Sequence, residues 1–288
     1  MPNVTMRLWR GDPSDGDFSD YVLPQSKERW SSDVIHRIQS GPALDLACRW
    51  NCKAGKCGSC SAEINRGPRL MCMTRMDQLP EGDSVSVAPM RMFPIVRDLV
   101  TNVSFNYSVA REVPAVVPRQ PEANGIYRMA QIDVGQGQEF RKCIECFLCQ
   151  DVCHVIRDHE GNKAYYAESR MFIRYMELES HALDTNDRRE LLRQRAGLGL
   201  RNITKCFTKV CLEHIRITDN AIIPLKEWEV DASYDPVAWL GRTILRRTKP
   251  KHGAAEVFAP SPPSGSECAS RESTRAVGLD STWRGHST

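Results

Sequence analysis

The segment Cys52-Lys-Ala-Gly-Lys-Cys-Gly-Ser-Cys60 contains three cysteines within nine residues, and Cys72 follows after eleven more. The spacing C-x4-C-x2-C-x11-C is the pattern of plant-type [2Fe–2S] ligands. Zinc also binds four cysteines, but its ribbon sites normally pair two C-x2-C motifs. Gly55 and Gly58 allow the loop to turn tightly and to direct backbone N–H groups at cluster sulfurs. We therefore predict a [2Fe–2S] cluster held by the thiolates of Cys52, Cys57, Cys60 and Cys72.

A second group of cysteines has the spacing C-x2-C-x2-C-x3-C and consists of Cys143, Cys146, Cys149 and Cys153. In this pattern the first three cysteines bind one [4Fe–4S] cluster, and the fourth binds a different cluster. The remaining ligand of the [4Fe–4S] cluster must then come from elsewhere in the chain, and Cys211 is the best candidate. Two cluster motifs in one chain predict several iron–sulfur centres in series that move single electrons.

The composition is that of a folded protein with metal or redox chemistry. The chain has 288 residues, a net charge of +3 and 41% hydrophobic residues, which suggests about two domains. Twelve cysteines in a chain without an apolar signal segment favour metal binding over disulfides. No segment approaches the roughly 20 apolar residues of a membrane-spanning helix, so we expect a cytosolic chain or one held at a membrane by partners. The near-neutral charge gives no reason to expect nucleic-acid binding, and no catalytic acid, base or nucleophile is recognisable.

Sequence patterns divide the chain into four segments, namely residues 1–105, 106–125, 126–240 and 241–288. The first segment contains alternating, strand-like stretches at Val4–Trp9 and Ser84–Ala88, and a helical stretch over residues 33–38. The second segment is rich in proline, which indicates a linker. The third segment is helical in pattern, and the fourth is basic at first and then disordered in composition.

Two stretches of the third segment are good helix sequences, residues 171–178 and 187–193, and Asp184 or Thr185 is a plausible N-cap of the second. The basic run in the fourth segment, residues 242–251, could lie near anionic lipid headgroups or be a solvated tail. Two cysteines fall outside the motifs. We interpret Cys48 as a buried thiol and assign no role to Cys268.

Three stretches together resemble a known family: Arg49–Cys60, Leu70–Met76 and Arg141–His154. They are similar to the iron–sulfur subunit of succinate dehydrogenase and fumarate reductase of the actinobacterial type, over about residues 4–240. The resemblance implies an α+β protein. Its N-terminal domain would be a β-grasp, plant-ferredoxin-like [2Fe–2S] domain, and its C-terminal domain would be α-helical and bacterial-ferredoxin-like.

The resemblance also implies partners and a location. A flavoprotein subunit with FAD would oxidise succinate or reduce fumarate, and a membrane-anchor subunit would bind quinone. Electrons would pass through [2Fe–2S], [4Fe–4S] and [3Fe–4S] clusters in turn, and this chain would bind no dicarboxylate itself. The protein would lie on the cytoplasmic face of the cell membrane, attached through its partners.

The segment for the third cluster departs from the family pattern, C-x5-C-x3-C-P. When Cys211 is aligned with the last cysteine, Arg201 and Phe207 occupy the positions of the other two, and Cys206 is only a neighbour. Only Cys153 and Cys206 remain as doubtful [3Fe–4S] ligands. The cluster could be absent, it could use Cys206 and one unusual ligand, or the sequence could be an altered copy.

Two other functions stay open at this point. A cluster-deficient paralogue could act as an interaction or assembly protein, which the Arg201 and Phe207 pair favours. A free-standing multi-cluster ferredoxin could serve other oxidoreductases.

Overall fold

The computed structural model describes residues 3–24, 30–79, 84–201 and 203–234, with the backbone alone for residues 160 and 231–234. The predictions for residues 241–288, including Cys268 and the basic run, lie outside this range. The first strand, β1 (Asn3–Gly11), confirms the alternating prediction. It buries Met6 and Leu8 on one face and pairs antiparallel with β2 (Gly16–Pro24).

A mixed sheet forms the N-terminal half of the described chain. Its other strands are β3 (Ser61–Ile64), β4 (Gly67–Leu70) and β5 (Val85–Ala88). The strand order is β2-β1-β5-β3-β4, in which β1 and β5 are parallel and the other neighbours are antiparallel. Helix α1 (Ser31–Gln39) buries Ile35 and Ile38 in the core of this half. A separate antiparallel pair follows, β6 (Ile95–Arg97) and β7 (Val100–Thr101).

The C-terminal half is helical. Its α-helices and those that lead into it are α2 (Ser104–Glu112), α3 (Gln131–Arg141), α4 (Leu148–Asp151), α5 (His154–Arg157), α6 (Ser169–Glu179), α7 (Arg189–Gln194), α8 (Cys206–Val210) and α9 (Ile223–Tyr234). Short 3-10 turns span Met71–Met73, Met76–Gln78, Glu160–Tyr165 and Leu198–Leu200, and a π turn spans Ile217–Ile222. A mixed sheet followed by helices agrees with the predicted α+β class.

Each half has its own hydrophobic core, and the two cores meet. The second core is built around α6, which buries Phe172 and Ile173. Phe147 and Leu148 precede and begin α4 in the helical half, yet they pack into the core of the sheet half. The described residues therefore belong to one packed unit.

Two details differ from the sequence predictions. Helix α7 begins at Arg189, and its N-cap residue is Arg188, which makes no side-chain cap hydrogen bond. The predicted cap at Asp184 or Thr185 is therefore wrong. Asp184 Oδ1 instead accepts the backbone N–H of Val117 at 2.9 Å, and this contact holds the chain that leads out of the sheet half. Helix α2 occupies the first residues of the segment interpreted as a linker.

Candidate metal centres

In the first cysteine group Cys52 and Cys57 are half-buried, whereas Cys60 and Cys72 are buried. The Cys52 sulfur accepts backbone N–H groups of Ala54 at 3.4 Å and Lys56 at 3.3 Å. These hydrogen bonds lower the pKa of Cys52 to about 7, because they stabilise the thiolate. Gly55 has a φ of 67°, in the left-handed region that a tight loop of this kind requires.

The β3–β4 hairpin supplies the rest of this site. Cys60 ends the loop directly before β3, Cys72 lies in the 3-10 turn directly after β4, and Met71 N–H donates to the Cys60 carbonyl at 3.0 Å. The Cys60 thiol interacts with Cys72 and Cys57, and Cys57 also contacts Cys52. Burial raises the pKa of Cys60 to about 12, so metal binding there must displace a proton. The structure therefore brings all four predicted [2Fe–2S] residues together.

The second group of cysteines lines a cavity with an empty volume of about 370 Å³. Four cysteines face it, namely Cys143, Cys146, Cys149 and Cys211. Cys211 follows α8 directly, so the chain folds back onto the cysteine run as the sequence predicted. Burial raises the pKa of all four thiols, that of Cys146 to about 12. Arg170, which forms an ion pair with Glu145, opposes this effect at Cys143.

Among the described residues, no group of three or more His, Cys, Asp or Glu side chains is arranged to hold a single metal ion. The ligands of an iron–sulfur cluster lie further apart than those of a single metal ion, because they bind different irons.

The two cysteine loops are in direct contact. Ser61 Oγ contacts the Cys146 carbonyl at 2.7 Å and the Gly58 carbonyl at 2.9 Å, so one hydroxyl lies between both loops. Gly58 has a φ of 67°, and a Cβ atom there would lie 2.7 Å from the Cys146 Cα. Only glycine allows this close approach. The spacing motifs indicated neither the role of Ser61 nor this contact.

At the doubtful third-cluster position, the two ligand positions of the family pattern other than Cys153 are occupied by the side chains of Arg201 and Phe207. Arg201 lies 2% exposed, and its guanidinium carbon is 3.5 Å from the centroid of the Phe207 ring. Arg201 Nη1 donates to Ser169 Oγ at 2.7 Å, to Cys153 Sγ at 3.4 Å and to the Tyr166 hydroxyl. Cys153 is therefore enclosed by polar and aromatic groups.

Cys206, the other doubtful ligand, lies on the outside of this cluster of side chains. Its sulfur is half-buried and donates to the Val152 carbonyl at 3.7 Å. Phe207, the next residue of α8, is completely buried. Adjacent helical residues point about 100° apart, so Cys206 cannot take the place of Phe207 without a shift of the helix.

A cluster of charged residues between the halves, in which the carboxylates are buried and Arg91 is exposed, was also missed by sequence reasoning. Glu63 on β3 forms a bidentate pair with Arg91 at 2.5 and 2.7 Å. Asp151 at the end of α4 lies beside this pair and accepts the Met92 N–H at 3.2 Å. Burial, together with the Glu63 charge, raises the pKa of Asp151 to about 8. None of these residues follows a recognisable spacing.

Cys48 lies apart from both groups. Its thiol donates to Gln39 Oε1 at 3.7 Å, and burial raises its pKa. The Cys48 thiol is half-buried and not fully buried as predicted, and it belongs to neither ligand set.

Comparison with known proteins places this site in a class. Residues 5–107 match the family model described as a 2Fe-2S iron-sulfur cluster binding domain. The fold of the chain is similar to that of a chain in the Mycobacterium smegmatis Sdh1 complex in the apo form, with a TM-score of 0.79 and 56% identity. That match covers 82% of this chain and 98% of the other. The protein is therefore an iron–sulfur protein with a ferredoxin-like N-terminal domain.

Curated relatives identify the family. The fumarate reductase iron–sulfur subunit of Mycobacterium tuberculosis is 33% identical over 165 residues, which cover 54% of this chain and 65% of the relative. The fumarate reductase iron–sulfur subunit of Escherichia coli O157:H7 is 30% identical over 135 residues, which cover 46% of this chain and 54% of the relative. The chain thus spans about half to two thirds of the length of these relatives. It belongs to the family of iron–sulfur subunits of succinate dehydrogenase and fumarate reductase.

No helix in the described part of the chain is long and apolar enough to cross a membrane.

Proposed function

We propose that this chain is the electron-transfer subunit of a succinate:quinone oxidoreductase or fumarate reductase. It relays electrons between the FAD of a flavoprotein subunit and quinone at a membrane anchor, on the cytoplasmic face of the cell membrane. The observation that carries the proposal is the direct contact between two cysteine loops, each with the ligand number of a cluster. Family membership supports the identity of the partners.

Two ligand sets fit two clusters. The first set suits [2Fe–2S], with Cys52, Cys57, Cys60 and Cys72 in a loop and hairpin. The second suits [4Fe–4S] in a helical, bacterial-ferredoxin-like domain, with Cys143, Cys146, Cys149 and Cys211 around one cavity. When bound, each cluster accepts and releases a single electron.

The protein's own residues tune and connect these sites. Backbone N–H groups of Ala54 and Lys56 stabilise negative charge on the Cys52 sulfur. In the second set Cys149 is buried and the other three cysteines are half-buried, and this limited solvent exposure also influences the potential. Gly58 and Ser61 hold the two loops against each other and so keep the separation between the clusters short. No residue of this chain is assigned to dicarboxylate chemistry.

The third position does not fit a cluster. Arg201 and Phe207 fill the space that two thiolates and inorganic sulfide would need, and neither side chain is an iron ligand. Cys153 is engaged by Arg201, and the Cys206 thiol is hydrogen-bonded to the Val152 carbonyl. We infer that this chain carries [2Fe–2S] and [4Fe–4S] clusters only, so the remaining electron step to quinone depends on the partner subunits.

Removing a ligand tests the first assignment. Cys57→Ala should abolish the EPR signal of the reduced [2Fe–2S] cluster in the anaerobically purified complex, because a four-thiolate site loses one ligand. Cys48→Ala is the matched control, because that thiol belongs to neither ligand set and is hydrogen-bonded to Gln39. An unchanged signal in Cys57→Ala would show that the [2Fe–2S] assignment is wrong.

Iron analysis tests the third position. We expect about six irons per chain, the sum of two and four in the complete clusters, and no [3Fe–4S] signal in the oxidised state. A value near nine with such a signal would overturn the two-cluster assignment. The double change Arg201→Cys and Phe207→Cys should raise the iron content, because it restores thiolates at both family positions.

The filled third position also favours a second candidate, a cluster-deficient paralogue that acts in assembly or interaction. This candidate predicts that the purified complex holds the two clusters but does not pass electrons from succinate to quinone. Measured quinone reductase activity that is lost in Cys57→Ala would exclude it.

A further inference from the structure

Arg201 is a buried cation without an acidic partner among the described residues. Two of its guanidinium nitrogens, Nε and Nη2, make no hydrogen bond to the described part of the chain. The third, Nη1, contacts only neutral or thiol groups, on Ser169, Tyr166 and Cys153. No ion pair among the described residues includes Arg201. A buried charge is costly when it has no counterion, and the described residues leave the positive field of Arg201 without one.

The field of Arg201 reaches the second cysteine set. Arg201 Nη1 lies 3.4 Å from Cys153 Sγ, and Cys153 lies two residues after α4, the helix that contains Cys149. The Arg201 guanidinium also stacks on Phe207 of α8, the helix that Cys211 directly follows. Lys226 of α9, which is also a cation, lies close enough to Arg201 for the two charges to interact. The [4Fe–4S] cavity therefore has positive charge on the side of Arg201. In the family pattern, that side would hold a second, negatively charged cluster.

We propose that Arg201 raises the reduction potential of the [4Fe–4S] cluster, because a fixed positive charge stabilises the more negative, reduced form. The inference rests on the proposed function, since it requires a cluster in the cavity. Net charge near a cluster is one of the factors that set its potential. The charge of Arg201 is permanent, whereas the charge of a redox cluster changes with its oxidation state. The effect of Arg201 on the [4Fe–4S] potential therefore stays the same during turnover.

The test is an EPR-monitored redox titration of the purified complex. Arg201→Gln removes the charge but keeps donors for Ser169 and Tyr166. We expect its [4Fe–4S] cluster to be at least tenfold harder to reduce, a shift of about 59 mV for one electron. Arg201→Lys keeps the charge and should restore most of the wild-type potential. The [2Fe–2S] potential is the internal reference and should shift less than the [4Fe–4S] potential in each variant.

A second variant keeps the arginine and cancels its charge. Ser169→Asp places a carboxylate where the hydroxyl now lies 2.7 Å from Arg201 Nη1, and it should also lower the [4Fe–4S] potential. This variant decides the question if Arg201→Gln does not fold. An unchanged [4Fe–4S] potential in a folded variant, or equal shifts in the potentials of both clusters, would overturn the inference about Arg201 and leave the proposed function standing. Absence of any [4Fe–4S] signal in the wild-type complex would instead overturn the proposed function.

Discussion

Gly58→Ala is expected to disrupt the second cluster site, although Gly58 belongs to the first cysteine loop. The added Cβ would lie 2.7 Å from the Cys146 Cα and 2.9 Å from its nitrogen, and backbone atoms cannot move aside cheaply. The left-handed φ of 67° adds about 1–2 kcal/mol for a residue other than glycine. Overpacking adds about 1–3 kcal/mol. We expect reduced [4Fe–4S] occupancy, measured as the ratio of reduced [4Fe–4S] to [2Fe–2S] spins.

Gly55→Ala is a matched control for this variant. Gly55 lies in the same loop with the same φ of 67°, but its added Cβ would meet the Met73 side chain, at 2.8 Å from Cγ and Sδ. A flexible methionine side chain can rotate away. Equal spin ratios in the two variants would mean that the contact between Gly58 and Cys146 does not position the second site.

Arg188→Met is expected to have the largest effect on stability. The Arg188 side chain is 1% exposed and pairs with Glu179 at 2.9 Å and Asp184 at 2.7 Å. It also donates to the carbonyls of Pro114 and Ala115, at 3.1 and 2.9 Å. Removing one partner leaves buried carboxylates without a counterion, which costs about 3–5 kcal/mol. Loss of the visible cluster absorbance on heating should therefore begin at a clearly lower temperature.

The adjacent residue provides the control. Arg189 pairs with Asp187 at 2.5 Å, but both side chains are 49% exposed, so the pair is worth about 0–1 kcal/mol. Arg189→Met should melt close to the wild-type temperature. If the two variants melted at the same temperature, the buried network around Arg188 would not stabilise the contact between the proline-rich segment and α6.

Local patterns predicted the elements that depend on neighbouring residues. Alternation predicted β1 within a few residues, and apolar spacing predicted α6. Cysteine spacing predicted which thiols within each motif lie together, because ligand spacing reflects the geometry of a cluster. Cys211 lies outside both motifs and was predicted as the best remaining candidate and from the resemblance to the family. The N-cap of α7 was mispredicted, because the Asp184 side chain is engaged by the backbone of Val117, 67 residues away.

The remaining site features depend on tertiary contacts that leave no sequence period. Glu63 and Asp151 meet across the two halves, and neither position stands out in the sequence. The alignment at the third position identified Arg201 and Phe207 as non-ligands, but only the structure shows that they stack on each other. A polar and an aromatic residue six positions apart carry no pattern that predicts such a stack.

The hydrogen bond from Ser61 to the Cys146 carbonyl joins residues that are 85 positions apart in the chain. At a synthesis rate of about 5–20 residues per second, the partner of the first loop emerges from the ribosome roughly 4–17 seconds after it. During this interval the nascent N-terminal half exposes the surface of Gly58 and the hydrophobic pocket that Phe147 later fills. The surface that later joins the two cysteine loops is thus exposed to solvent while the chain is being made.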